Sequence, residues 1–296
     1  MDRVKQAVRY WCADTRNGRC MGQNVTVAIL DSGIAPHPDF KGRIMAFKDF
    51  VGGRRELYDD NGHGTHVAGI LAGDGRMSKG VLAGMAPKAR LVILKVLDQK
   101  GEGKMGQIME GIWWLRRYGG QFGVQVVNIS VGAKAGINEE KENGLVEAVE
   151  KLWDAGMLVV VSAGNYGPGE GTIAIPGNSR KVVTVGAQEK GGRGQGCSGQ
   201  GPTQACVVKP DLAAPGYRII SCNHVSASNR KPYTVKSGTS MATPVVAGAG
   251  AMLLSKYPDM TNVEIKLKLR ESCQRVGSQA GWGLLDVERL LGSGTF

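Results

Sequence analysis

Residues Val124–Ala163 read VQVVNISVGAKAGINEEKENGLVEAVEKLWDAGMLVVVSA. Val124–Val131 is a near-continuous apolar run rich in Val and Ile, of strand length. Glu139–Ala155 sets Leu145, Val149 and Leu152 on one face of a helix, and Met157–Ala163 is apolar again. Strand, helix and strand in succession, with strands that do not alternate between apolar and polar, predict parallel strands buried on both faces with a helix crossing between them.

The alternation extends outward. Asn24–Leu30, Leu91–Val96 and Val182–Ala187 read as further strands, and Thr65–Gly73 and Gly106–Tyr118 as helices, the latter with Ile108, Ile112 and Leu115 on one face. The expected fold class is α/β, a three-layer αβα sandwich around a central, mostly parallel sheet. Sites in such sheets lie at the carboxyl ends of the strands. The last third changes character. Gly191–Gln204 reads as a loop, Arg218–Cys222 and Tyr233–Lys236 as short strands, and Pro244–Lys256 as an apolar helix. Thr261 and Glu264 have capping-box spacing before a helix to about Ser272. No linker separates domains, so residues 1–23 are taken as an extension and 24–296 as one domain.

The chain has 296 residues, 42% hydrophobic and 21% charged, a composition that suits a globular domain with a sizeable core and excludes a disordered chain. Its 45 glycines have no G-x-y period, which excludes collagen, and they imply tight turns and close backbone approach. No stretch approaches the roughly 18 apolar residues of a membrane helix. The first residues hold no apolar core followed by a cleavage site. No membrane partner, a cytoplasmic location and a monomer are therefore expected, with secretion the alternative if the sequence is a trimmed form. The net charge of +11 raises nucleic acid as a partner. The basic residues are scattered and no nucleic-acid module is present, so a solvated basic surface is expected instead. None of the six cysteines falls in a C-x-x-C. Free thiols in a reducing cytosol are expected, with three disulfide pairs as the alternative.

Three segments carry chemistry at strand or helix ends. In VAILDSG (Val27–Gly33) an apolar strand runs into Asp31, which either caps a turn or is a buried carboxylate held by Ser32 and neighbouring N–H groups. In DNGHGTHVAG (Asp60–Gly69) two histidines open a helix. Metal ligation by the pair lacks the H-E-x-x-H pattern, and the glycines flanking His63 suit close packing. His63 can thus reach both an acid and a hydroxyl, and His66 is expected to be a buried structural residue. In SGTSMATP (Ser237–Pro244) the Ser/Thr-rich helix start would ordinarily be an N-cap. Here small residues surround Ser240 and the positive end of the helix favours negative charge developing near its oxygen.

With the order Asp31, His63, Ser240 and the strings GHGTH and GTSMATP, the chain resembles the subtilisin-like serine proteases, or subtilases, over about residues 22–290, and within them the signal-less AprX-like bacterial branch. Ser162-Ala163-Gly164-Asn165 and Val127–Gly132 belong to the same resemblance. It implies a subtilisin-like fold and a serine endopeptidase of broad specificity. Ser240 would be the nucleophile, His63 the base and then the acid, and Asp31 the group that fixes the imidazole. Asn165 would form the oxyanion hole with the Ser240 N–H, and Thr239 would add a dipole. Polypeptide substrate would bind as an extended strand between Gly101-Glu102-Gly103 and Ser130-Val131-Gly132. Val131, Ala163 and Gly164 would wall the pocket for the side chain before the cut, with Ala174 near its floor. None is charged, so an apolar or aromatic preference is expected.

Catalysis in the family needs no metal or cofactor. Asp39, in HPDF, resembles a position where relatives supply a calcium ligand, but Arg76 and Lys79 in the matching loop would repel a cation, so structural calcium is not expected there, while hard-oxygen calcium sites elsewhere stay open. Two alternatives remain. GEGKMG (Gly101–Gly106) is a literal G-x-G-x-x-G, yet it does not follow the first strand, and Gln125–Asn128 stand where an acid belongs about 20 residues on. The other is a catalytically dead subtilase-fold peptide-binding module.

Overall fold

A computed structural model describes residues 1–134, 136, 139–188, 197–224, 231–276 and 280–292. Its centre is β1 (Thr26–Asp31), every residue of which is buried. With β2 (Ile44–Asp49), β3 (Arg90–Lys95), β4 (Val124–Ile129), β5 (Leu158–Ser162), β6 (Val183–Ala187) and β7 (Leu212–Ala214) it forms a sheet in the order β2-β3-β1-β4-β5-β6-β7. All six pairings are parallel. A separate antiparallel ribbon pairs β8 (Ile219–Cys222) with β9 (Tyr233–Lys236).

Helices cover both faces. α3 (His63–Ala72) and α6 (Thr239–Lys256) pack together on one face, with α6 lying against β4, β5 and β6. α4 (Met105–Tyr118) and α5 (Glu139–Asp154) pair on the other. The molecule is thus the expected three-layer sandwich, and coverage on both sides explains why β4 and β5 are apolar without alternation. The strand order reverses between β1 and β4, and a crevice opens outside the carboxyl ends at such a switch point.

α7 (Asn262–Ser272) begins with the expected capping box: Thr261 Oγ1 accepts from the Glu264 N–H (3.2 Å) and Glu264 Oε2 from the Thr261 N–H (2.8 Å). Five elements go beyond the sequence analysis, α8 (Val287–Leu291) among them. β2 is a half-exposed edge strand and β7 only three residues long. α1 (Asp2–Ala7) and α2 (Ala13–Arg16) are short, yet their segment adds Val4, Val8 and Tyr10 to the main hydrophobic core. Tyr10 donates to the Met85 carbonyl (3.2 Å), and the Val8 carbonyl accepts from the N–H of Val287, which opens α8 (Val287–Leu291). The expected Gly191–Gln204 loop lies partly outside the described residues. No helix among the described residues is long and apolar enough to cross a membrane.

α6 starts at Thr239, not at Pro244. Pro244 lacks the N–H that would bond the carbonyl four residues back, which is that of Ser240. Ser130 Oγ donates to that carbonyl instead (3.2 Å). The proline therefore opens a backbone acceptor at Ser240 that ties α6 to the end of β4.

Candidate active site

Asp31 ends β1 in the middle of the sheet and is fully buried. The turn after it must pass under the first turn of α3. Gly33, at φ +113°, and Gly64, whose Cβ would stand 2.2 Å from the Gly33 carbonyl oxygen, allow that contact. His63 is the first residue of α3 and its Nδ1 lies 2.7 Å from Asp31 Oδ1. The Ser32 N–H donates to the same oxygen (2.7 Å), and Asp31 Oδ2 accepts no hydrogen bond. Burial pulls the His63 pKa down, but the charge of Asp31 and the hydrogen bond to it outweigh burial, so the imidazole titrates above its ordinary value.

Asp59 assembles the helix start. Its carboxylate accepts from the N–H groups of Gly62 (2.7 Å) and Thr65 (2.8 Å) and from the hydroxyls of Ser32 (2.9 Å) and Thr65 (2.6 Å). Burial raises its pKa, and those donors together more than reverse the rise. Lys95, fully buried at the end of β3, donates to the Ser32 carbonyl (2.7 Å) and to Asp60 (2.6 Å), clamping the turn to the loop before α3. Neither Asp59 nor Lys95 was singled out in the sequence. The signals were there: an Asp three residues before a helix-opening glycine, and a lone lysine in an apolar strand.

Ser240 stands in the first turn of α6, on the same face of the sheet as α3. Its hydroxyl donates to the Ser130 carbonyl (3.0 Å) rather than to His63, and catalytic hydrogen bonds often form only once substrate is bound. Asn165 follows β5, and its Oδ1 accepts from both the N–H (3.0 Å) and the hydroxyl (3.2 Å) of Thr239. With its oxygen engaged, the amide presents its NH₂ group to the cleft beside Ser240.

That cleft has a volume of about 610 Å³. Gly101, Glu102 and Gly103 form one wall, Ser130, Val131 and Gly132 the other, and Gly164, Asn165, Thr239, Ser240 and His63 meet between them. The first wall is a turn organised by Asp98, whose Oδ1 accepts from the N–H groups of Lys100 (2.8 Å) and Glu102 (3.0 Å). Ala163 and Ala174 are fully buried and stand behind the wall: a Cβ at Gly164 would lie 2.5 Å from that of Ala174. Ser162, Tyr166 and Pro176 line the cleft there instead; Ser162 opens the Ser162–Asn165 string already singled out, and nothing in the local sequence marks Tyr166 or Pro176.

Asp39 is surrounded by donors. Met77 N–H reaches Oδ1 (3.0 Å), and the Tyr233 hydroxyl (2.8 Å) and Cys222 thiol (3.6 Å) reach Oδ2. His37 Nδ1 accepts the Asp39 N–H (3.1 Å), and Arg43 donates to the Asp39 carbonyl. His37, Asp39 and Cys222 bring ligand-type atoms within 4.8 Å of one another, but all are engaged in these bonds. Calcium requires a shell of oxygen acceptors, and a ring of N–H, O–H and S–H donors does not fit it.

Residues 22–289 match the model of the subtilase family. The chain is 42% identical to serine protease AprX of Bacillus subtilis (strain 168), over 88% of its own length and 64% of that protein's. It is 37% identical to subtilisin DY of Bacillus licheniformis, over 90% of each chain. The solved structure of sphericase matches with a TM-score of 0.80 at 27% identity, over 96% of this chain and 97% of that one. The chain thus spans just under two thirds of the length of AprX (64%) and nearly all of subtilisin DY (90%).

Proposed function

The chain belongs to the subtilase family, and we propose that it is a serine endopeptidase that cuts polypeptides bound as an extended strand. The observation that carries this is the 2.7 Å bond between His63 Nδ1 and the buried Asp31. It fixes the proton on Nδ1 and leaves Nε2 as the base.

Ser240 Oγ attacks the scissile carbonyl as its proton passes to His63 Nε2. Asp31 stabilises the imidazolium that forms. The tetrahedral oxyanion receives N–H donors from the Asn165 side chain and the Ser240 backbone, at the positive end of α6. Thr239 acts by holding the Asn165 amide in place. The imidazolium then protonates the leaving amine. In the second half His63 takes a proton from water, which attacks the acyl-enzyme and frees Ser240. No step calls for a metal or cofactor.

The substrate's acyl half pairs with the backbone of the two cleft walls, which gives affinity with little demand on sequence. Val131, Gly164, Tyr166 and Pro176 put no charge near the side chain before the cut, so an apolar or aromatic residue is preferred there. All six cysteines are free, which supports a reducing compartment such as the cytoplasm. A peptide library tests the specificity: cleavage after Phe, Tyr, Leu or Met is expected, and a profile dominated by Lys or Arg would contradict it. A catalytically dead peptide-binding module would cleave no member of the library.

A further inference from the structure

The acyl half of a substrate occupies the cleft between the two walls. The leaving amine takes its proton from His63, so the chain beyond the cut must pass over the opposite side of that histidine. The β8–β9 ribbon packs on α3, the helix that His63 opens. It is anchored to α3 through His66, whose Nε2 meets the carbonyls of Ile219 (3.1 Å) and Thr234 (3.3 Å), and through Ser221, whose hydroxyl donates to the His66 carbonyl (2.8 Å). On the outer face of the ribbon Ile220 and Val235 form an exposed cross-strand pair. Thr234 and Lys236 therefore occupy the face turned toward α3. His224, just past β8, packs on the residue before His63: a Cβ at Gly62 would lie 2.1 Å from its Nδ1.

Lys236 is half-buried on that inner face, four residues before Ser240. Among the described residues it forms no ion pair and no side-chain hydrogen bond. From Gly216 to Ser240 the sequence contains no Asp or Glu, so its own ribbon offers no counter-charge. The acids closest to His63 are committed elsewhere, Asp31 to His63 and Asp59 to Ser32, Gly62 and Thr65. The positive charge of Lys236 opposes protonation of both His63 and His66. An unpaired cation beside the catalytic base raises the energy of the imidazolium that the reaction must form. The charge is offset only if something negative arrives with the substrate.

Building on the endopeptidase reading, we propose that Lys236 receives an acidic side chain from the first or second residue after the cut, so that the enzyme selects substrates with Asp or Glu there. Such a carboxylate pairs with the half-buried Lys236 and relieves its repulsion of the imidazolium. It therefore raises kcat as well as lowering KM. The same charge disfavours Lys or Arg at these positions.

The test is a set of internally quenched peptides sharing one acyl half with an aromatic residue before the cut and differing only in Glu, Gln or Lys at the first and second positions after it. Wild type is expected to prefer Glu over Gln by roughly tenfold in kcat/KM, with Lys below Gln, and the Glu/Gln ratio should shrink as salt is raised. Lys236→Met should bring the ratio to about one, and Lys236→Glu should invert it. Labelling of each variant by a serine-directed fluorophosphonate reports whether its site is folded. Should the variants misfold, the size and salt dependence of the wild-type ratio decide alone. A wild-type ratio near one, or a ratio unchanged in a folded Lys236→Met variant, would overturn the assignment and leave the protease intact. No cleavage of any peptide together with no labelling would overturn both.

Discussion

At Asp31 a single carboxylate oxygen accepts from His63 and from the Ser32 N–H while the other accepts nothing. The charge is therefore spent on the imidazole. In the proposed mechanism His63 must be neutral to take the serine proton, so kcat/KM should rise with pH through a midpoint above 6.5, the ordinary value for histidine, and fall away below it. A midpoint clearly under 6.5 in a pH-rate profile would mean that Asp31 does not stabilise the imidazolium. In the proposed mechanism Asn165 contributes differently, by meeting charge that exists only in the transition state. Asn165→Ala should lower kcat by about two to three orders of magnitude, or about 3–4 kcal/mol, with KM little changed. A loss confined to KM would assign Asn165 to substrate binding instead. His63 and Ser240 were legible because each stands in a long string of small residues, and Asp31 because an apolar strand runs straight into it. Asp59 and Lys95, which hold them from behind, were not, because their roles depend on partners from other elements.

At the scale of elements, α3 joins the catalytic face to the β8–β9 ribbon. His66, one turn after His63, lies between them and is held neutral: burial first, then the charge of Lys236, push its pKa down to about 3. The sign follows. At neutral pH neither the folded nor the unfolded histidine is charged. As pH falls below 6.5 the unfolded chain takes up a proton that the folded protein refuses until about 3, so stability drains away across that interval. Chemical denaturation at stepped pH should show the loss, and His66→Gln should flatten it. A wild-type midpoint constant from pH 7 to 4 would contradict the buried neutral state. The strong elements were readable from apolar runs and helical faces. β2 was not, because an edge strand buries only part of its side chains, nor was β7, because three residues carry no period. The start of α6 was misplaced because a proline read as a first-turn residue sits further in, where its missing N–H frees the Ser240 carbonyl for Ser130.

Over the whole molecule, three residues separated by up to 209 positions in the chain meet for a topological reason. β1 is central, and α3 and α6 lie on the same face of the sheet, so a strand end and two helix starts converge at one crevice. The alternation of strands and helices made that architecture readable, but not the walls at Tyr166 and Pro176 or the place of α1 and α2 in the core, which follow only from the packed chain. In the proposed mechanism this convergence activates Ser240. That activation is tested most directly by intact mass after exposure to a serine-directed fluorophosphonate, with Ser240→Ala as control. A single adduct on the wild-type protein, lost in the control, is the predicted result. A folded protein that takes up no adduct, or takes it up equally well without Ser240, would contradict it.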